Sequence, residues 1–129
     1  MVRKILFLHC NLLLPLIVGA AFYLPGTAGY LGENGILRNH LPDMLWSYAL
    51  VYALILILGD SNNVILLGLV SGIWGLMMEL LHLLELSPGT FDFLDVLAEF
   101  VAAFVAVGIY RFWRMQNEEN ETNCSSSLS

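Results

Sequence analysis

With 129 residues, 58% of them hydrophobic and only 12% charged, and a mean hydropathy of +0.75, the chain excludes a soluble globular domain. It reads as one integral-membrane unit, with room for four spans of about 20 residues each. The formal net charge of −6 comes with no basic stripe, so a nucleic-acid partner is excluded as well.

The first apolar run, residues 5–24, follows Arg3 and Lys4. A cleaved leader ending near Ala28 is the alternative to a span; His9, Asn11 and Pro15 interrupt the run, and a retained first helix is the expectation. A long segment follows, in which Gly26, Gly29, Gly32 and Gly35 match no phosphate cradle and read as turns. The second run, 44–59, comes after Pro42 and Asp43, the third, 64–86, after "DSNN", and the fourth, 92–113, after "SPGTF". None alternates like a barrel strand, and backbone satisfaction in lipid then requires helix.

The expected fold is therefore an all-α membrane protein with four transmembrane helices in a single domain over residues 1–114, followed by a disordered polar tail, 115–129. Arg3 and Lys4 before the first span and Arg111 and Arg114 after the fourth place both termini in the cytoplasm, with the 25–43 and 87–91 loops outside. Tyr23, Trp46 and Tyr48 would then mark the outer interface, and Tyr110, Phe112 and Trp113 the inner one. Cys10 and Cys124 have neither disulfide-framework nor metal-ligand spacing.

The stretch "MMELLHLLELSPGTFDFLDVLAEF" places Glu79, His82, Glu85, Asp92, Asp95 and Glu99 among leucines and phenylalanines. An ionisable group at mid-span costs about 2.5–3.5 kcal/mol on insertion scales, so such groups have a structural or a functional offset. Gly68, Gly72, Gly75, Glu79 and His82 recur at helical steps along one face of the third span, and Asp95, Glu99, Ala102 and Ala106 along one face of the fourth. Small residues let helices approach closely in lipid, which predicts an antiparallel, polar-faced hairpin of helices 3 and 4. Equal distances from a turn near "SPG" pair Glu79 with Glu99 and His82 with Asp95, in a pocket open to the outer face with Arg38 and Asp43 at its rim.

Among enzyme motifs, "ELLH" is one half of a di-metal carboxylate signature whose other half is missing. A membrane hydrolase or transferase with a single metal on Glu79, His82 and Asp95 is the weakest alternative, and neither metal, cofactor nor catalysis is expected. His9 and His40 form no triad with any serine, and serines in membrane helices usually bond to backbone.

"LPDMLWSYALVYAL" followed by "ELLHLLELSPGTFDFLDVLAEFVAAFVA" resembles the VanZ-like family of small multi-pass bacterial membrane proteins over residues 41–108. Pro42 and Asp43 match that family's proline-aspartate helix start and Tyr48 the aromatic a few residues on, Glu79 its glutamate, Pro88 and Gly89 its turn, and Asp92 and Asp95 its aspartates. Three positions depart: His82 stands for glutamine, Thr90 for arginine and Glu99 for asparagine. The resemblance implies a plasma-membrane protein of the cell envelope, since the name-giving member lowers sensitivity to teicoplanin. A lipid-linked cell-wall precursor or a head group would be its partner at the outer face. The missing arginine weighs against an anionic ligand, and Glu99 moves the site towards a cation or a proton.

The residues expected to bind ligand are Glu79, His82, Asp95 and Glu99 in the pocket, with Asp92, Asp43 and Arg38 at its rim. The rival reading is a small proton- or cation-coupled transporter using Glu79 and Glu99. A subunit whose polar network only locks two helices is a further alternative.

Overall fold

A computed structural model describes residues 2–22, 35–59, 63–86 and 91–126, and within them every side chain except those of 35–39 and 121–126. Four helices account for nearly all of it: α1 (Val2–Ala21), α2 (Gly35–Leu58), α3 (Val64–Leu83) and α4 (Phe93–Ser126). Each contains a stretch long and apolar enough to cross a membrane, the last three being His40–Leu58, Val64–Leu83 and Phe93–Asn120. No strand occurs among the described residues. Leu14, Ile17, Ile57 and Ile73 are all more than half exposed on the outer faces, a pattern that suits a hydrocarbon solvent.

Two boundaries differ from expectation. α2 begins at Gly35 rather than after Pro42, and it carries Pro42 inside it. A proline within a membrane helix removes one backbone hydrogen bond without ending the helix when neighbouring helices support it, and Pro42 is buried among them. At the other end the polar tail is helical through Ser126 instead of disordered from 115. Helix already nucleated in the span propagates without a new nucleation cost, and no Gly or Pro follows Gly108 to stop it. Arg114 Nε donates to Glu118 Oε1 at 2.8 Å one turn on, and Asn117 Nδ2 donates to the Trp113 carbonyl at 2.8 Å.

The hairpin ends are built by caps. α3 closes through a left-handed Glu85 (φ 56°), with the Leu86 N–H on the Leu81 carbonyl at 3.0 Å and the Glu85 N–H on the His82 carbonyl at 3.1 Å, a Schellman arrangement. α4 opens with the Asp92 carboxylate accepting the Leu94 N–H at 2.9 Å, as an N-cap aspartate does.

α2 and α4 form the centre of the bundle. α1 leans on α2, α3 leans on α4 and less on α2, and α1 meets α3 and α4 only marginally. The half that holds the chain's amino end and the outgoing α4 is dry, built on Leu8, Tyr52, Ile55, Leu67, Val107 and Tyr110. Phe7 stacks on Trp113 with centroids 4.5 Å apart, and Tyr52 sets its ring edge-on to Phe7 and Tyr110. Tyr110 is fully buried and Trp113 packs against this core. Of the three aromatics expected at the inner interface, only Phe112 points outward, because aromatic area is used here to close the core. The Tyr48 hydroxyl donates to Asn11 Oδ1 at 2.6 Å and ties α1 to α2. Ser71 Oγ donates to the Ser47 carbonyl at 2.9 Å where α3 crosses α2.

The α3–α4 contact rests on glycines. A Cβ on Gly68 would lie 2.7 Å from Val107 Cγ2, and one on Gly72 would lie 2.4 Å from the Phe100 ring. Both distances are below any real contact, so the two backbones approach as closely as they do only because these positions lack side chains. Gly72→Ala should therefore lower stability in detergent by about 1–3 kcal/mol. Gly108→Ala, where an added Cβ meets nothing within 4 Å, should be neutral or stabilising by about 1 kcal/mol. Thermal unfolding of the two variants checks this; equal midpoints would mean that the close packing at Gly72 is wrong.

Candidate functional site

The half of the bundle away from the dry core gathers ionisable groups from three helices. α2 contributes His40 and Asp43, α3 Glu79 and His82, and the start of α4 Asp92, Asp95 and Glu99. Five carboxylates stand there with two imidazoles. The Lys and Arg residues with described side chains, Arg3, Lys4, Arg111 and Arg114, lie at the opposite end of α1 and α4, while Arg38, whose side chain is not described, belongs to the first turns of α2. Among the described side chains, even with both imidazoles protonated, ionised carboxylates would outnumber positive charges there by three, an imbalance that favours cations over anions.

Glu79 is buried and fully engaged. Its Oε1 lies 3.2 Å from His82 Nδ1 one turn on, and its Oε2 accepts the Asp92 N–H at 3.0 Å. That N–H belongs to the cap residue of α4, so an α3 carboxylate satisfies the backbone at the start of the next helix. Asp95 pairs with His40 Nδ1, joining α4 to α2. Asp43, half-buried one turn along α2 from His40, lies within electrostatic reach of Asp95, Glu79 and both imidazoles.

Glu99 stands apart. It is 9% exposed, and its Oε2 has no hydrogen-bond partner among the described residues. The carboxylate lies on Gly75 of α3, where a Cβ would fall 1.4 Å from Oε2. The glycine thus leaves the space that the acid occupies.

Several expectations are corrected by this geometry. Glu99 sits against Gly75 rather than level with Glu79, one helical turn away, and His82 faces Glu79 rather than Asp95. The physical reason is that register follows large side chains seated on glycines: Val107 on Gly68, Phe100 on Gly72 and the Glu99 carboxylate on Gly75. Equal distance from the turn does not set it. The side chain of Arg38, and Pro88, Gly89 and Thr90 of the turn, lie outside the described residues.

His40 was missed by sequence reasoning, which placed it in a loop. A helix continuing through Pro42 puts it one turn from Asp43 and in line with the α4 acids. Among the described residues, one trio brings possible metal-ligating atoms within 4.8 Å of one another, and it is His40, Asp92 and Asp95 rather than Glu79, His82 and Asp95.

Beside these groups a cavity of about 610 Å³ lies between α1, α2 and α3. Leu12 and Leu16 line it from α1, Leu50 from α2 and Met78 from α3, while Asp43, Glu79, His82 and Glu99 form its polar part. Because α1 barely touches α3, the cavity is a lateral groove. Trp46 and Trp74 line it and are 46% and 54% exposed, so their rings stand where the groove meets the surroundings. Trp46 is seated against Gly19 of α1, where a Cβ would meet its Nε1 at 2.7 Å.

The register is open to a direct test. With Cys10 and Cys124 replaced by serine, the pair Gly75→Cys and Glu99→Cys should oxidise readily within one chain, since the Glu99 side chain lies on Gly75 and disulfides need Cβ atoms about 3.5–4.5 Å apart. The pair Glu79→Cys and Glu99→Cys, one turn out of step, should oxidise far more slowly. Intact-mass measurement reads both, and the opposite order would refute the register.

Comparison with known protein families, with curated proteins and with solved structures finds no match to this chain.

Proposed function

We propose that this chain is a binding protein of the bacterial cell envelope that takes an amphiphilic ligand from the bilayer into the groove between α1 and α3. The observation that carries the reading is the groove itself. It has an apolar wall for a hydrocarbon chain, indoles at its margin, and a polar end where a head group would sit. Its volume of about 610 Å³ is in the range of organic-ligand sites, which are mostly apolar with a few placed polar groups. Binding without chemistry suits the acidic end, where Glu79 is committed to holding His82 and the start of α4.

The VanZ-like resemblance supports an envelope role in the plasma membrane. With both termini cytoplasmic, as the placement of Arg3, Lys4, Arg111 and Arg114 favours, the acidic end faces outward, where lipid-linked wall precursors and glycopeptides meet. Modulation of teicoplanin sensitivity follows from that resemblance alone.

Native mass spectrometry of the chain released from bacterial membranes should show a retained lipid. Ala53→Phe, which places a ring in the groove that Ala53 lines, should lose it while Gly108→Ala keeps it. Retention by both variants would remove the groove as the site. Expression of the wild type in a glycopeptide-sensitive Gram-positive host should raise resistance to teicoplanin selectively over vancomycin. Unchanged susceptibility at good membrane abundance would end the antibiotic part of the proposal.

A further inference from the structure

We propose that the groove selects ligands with an ammonium head group, a primary or quaternary amine on an apolar body, and that Glu99 seated on Gly75 is its counter-charge. This rests on the groove being the ligand site.

Glu99 brings a carboxylate from α4 to the lining of the groove. The oxygen turned onto Gly75, Oε2, is withdrawn from water and has no hydrogen-bond partner among the described residues. A carboxylate placed this deep in a membrane helix is costly unless a proton or a cation meets it. Glu79 differs, since both of its oxygens are already engaged. The carboxylate without a protein counter-charge therefore points to a cation that enters from the groove.

The remaining lining decides its sign and class. Asp43, Glu79 and Glu99 all line the groove, and among the described side chains no Lys or Arg does. A phosphate or sulfate head group would meet three carboxylates and, among the described side chains, the single imidazole of His82. A chelated metal fits Glu99 poorly, because Ca²⁺ or Mg²⁺ needs several oxygens at about 2.0–2.6 Å. The trio that does converge, His40, Asp92 and Asp95, does not include Glu99. The groove is also far larger than a bare ion and is largely apolar. An ammonium on a hydrocarbon chain uses every part of it: charge against Glu99 and Asp43, chain against Leu12, Leu16 and Leu50, and the indoles of Trp46 and Trp74 as cation–π surfaces.

Gly75 is the device that makes the counter-charge. Any side chain there would occupy the position of the Glu99 carboxylate, so Gly75→Ala would move the charge while leaving the acid in the sequence.

The experiment uses the full chain in uncharged maltoside micelles, with Trp113→Phe so that Trp46 and Trp74, which line the groove, report. Dodecyltrimethylammonium, dodecylamine and dodecyl sulfate are titrated as the micelle fraction of each. The two ammonium probes should give saturable fluorescence changes and the sulfate none. Glu99→Gln and Gly75→Ala should each weaken ammonium binding at least tenfold, whereas Gly108→Ala should not alter it. Circular dichroism and gel filtration establish that each variant is folded, and Glu99→Asp, which keeps the charge on a shorter arm, should bind more weakly than wild type but more tightly than Glu99→Gln.

Equal saturable binding of ammonium and sulfate probes would overturn the ammonium selectivity and leave the groove in place. Ammonium binding unchanged in folded Glu99→Gln would overturn the role of Glu99. Absence of saturable binding by any probe would remove the groove as the ligand site and this inference with it.

Discussion

The approach of α3 to α4 across Gly68, Gly72 and Gly75 is the constraint on which the rest of the bundle depends. In lipid there is no hydrophobic gain from bringing two apolar helices together, so association relies on close van der Waals fit and interhelical hydrogen bonds. Val107 and Phe100 fill the first two glycine positions and Glu99 fills the third. The first two contacts are apolar and set the register; the third uses that register to hold a carboxylate in place. The polar end of the bundle is thus positioned by packing as much as by its own hydrogen bonds.

The molecule divides along its length. One half is closed by aromatic and aliphatic side chains around Tyr52 and Tyr110, and α1, α2 and α4 meet there through Phe7, Tyr52 and Trp113. In the other half α2 and α4 are linked by His40 and Asp95, and α3 and α4 by Glu79 and the Asp92 backbone, while α1 stands away from α3. The groove exists because the aromatic contacts that close the first half have no equivalent in the second. Its acidity follows from which helix ends converge there.

The four spans were legible in the sequence because lipid leaves helix as the only way for such runs to satisfy their backbones. The glycine face of α3 and the small-residue face of α4 were legible for the same reason, as three- and four-residue steps survive in any helix. What was hidden needed three dimensions. A turn-centred register ignored that Phe100 and Val107 require glycines opposite them, and so misplaced Glu99 by a turn. His40 was hidden because Pro42 read as a helix start, although α2 had begun at Gly35. The helical tail was hidden because its composition describes what an isolated peptide would do, whereas here a membrane helix feeds directly into it.

The marginal contact between α1 and α3 bears on how the protein is assembled. α2, α3 and α4 contact one another pairwise, whereas α1 is held chiefly by α2, through the Asn11–Tyr48 hydrogen bond and the seat of Trp46 on Gly19. One wall of the groove is therefore the helix with the fewest partners. A molecule lodged between α1 and α3 would act as the missing interface, and its binding free energy would add to the attachment of α1 by mass action. Occupancy of the groove and completeness of the four-helix bundle then become two descriptions of one equilibrium.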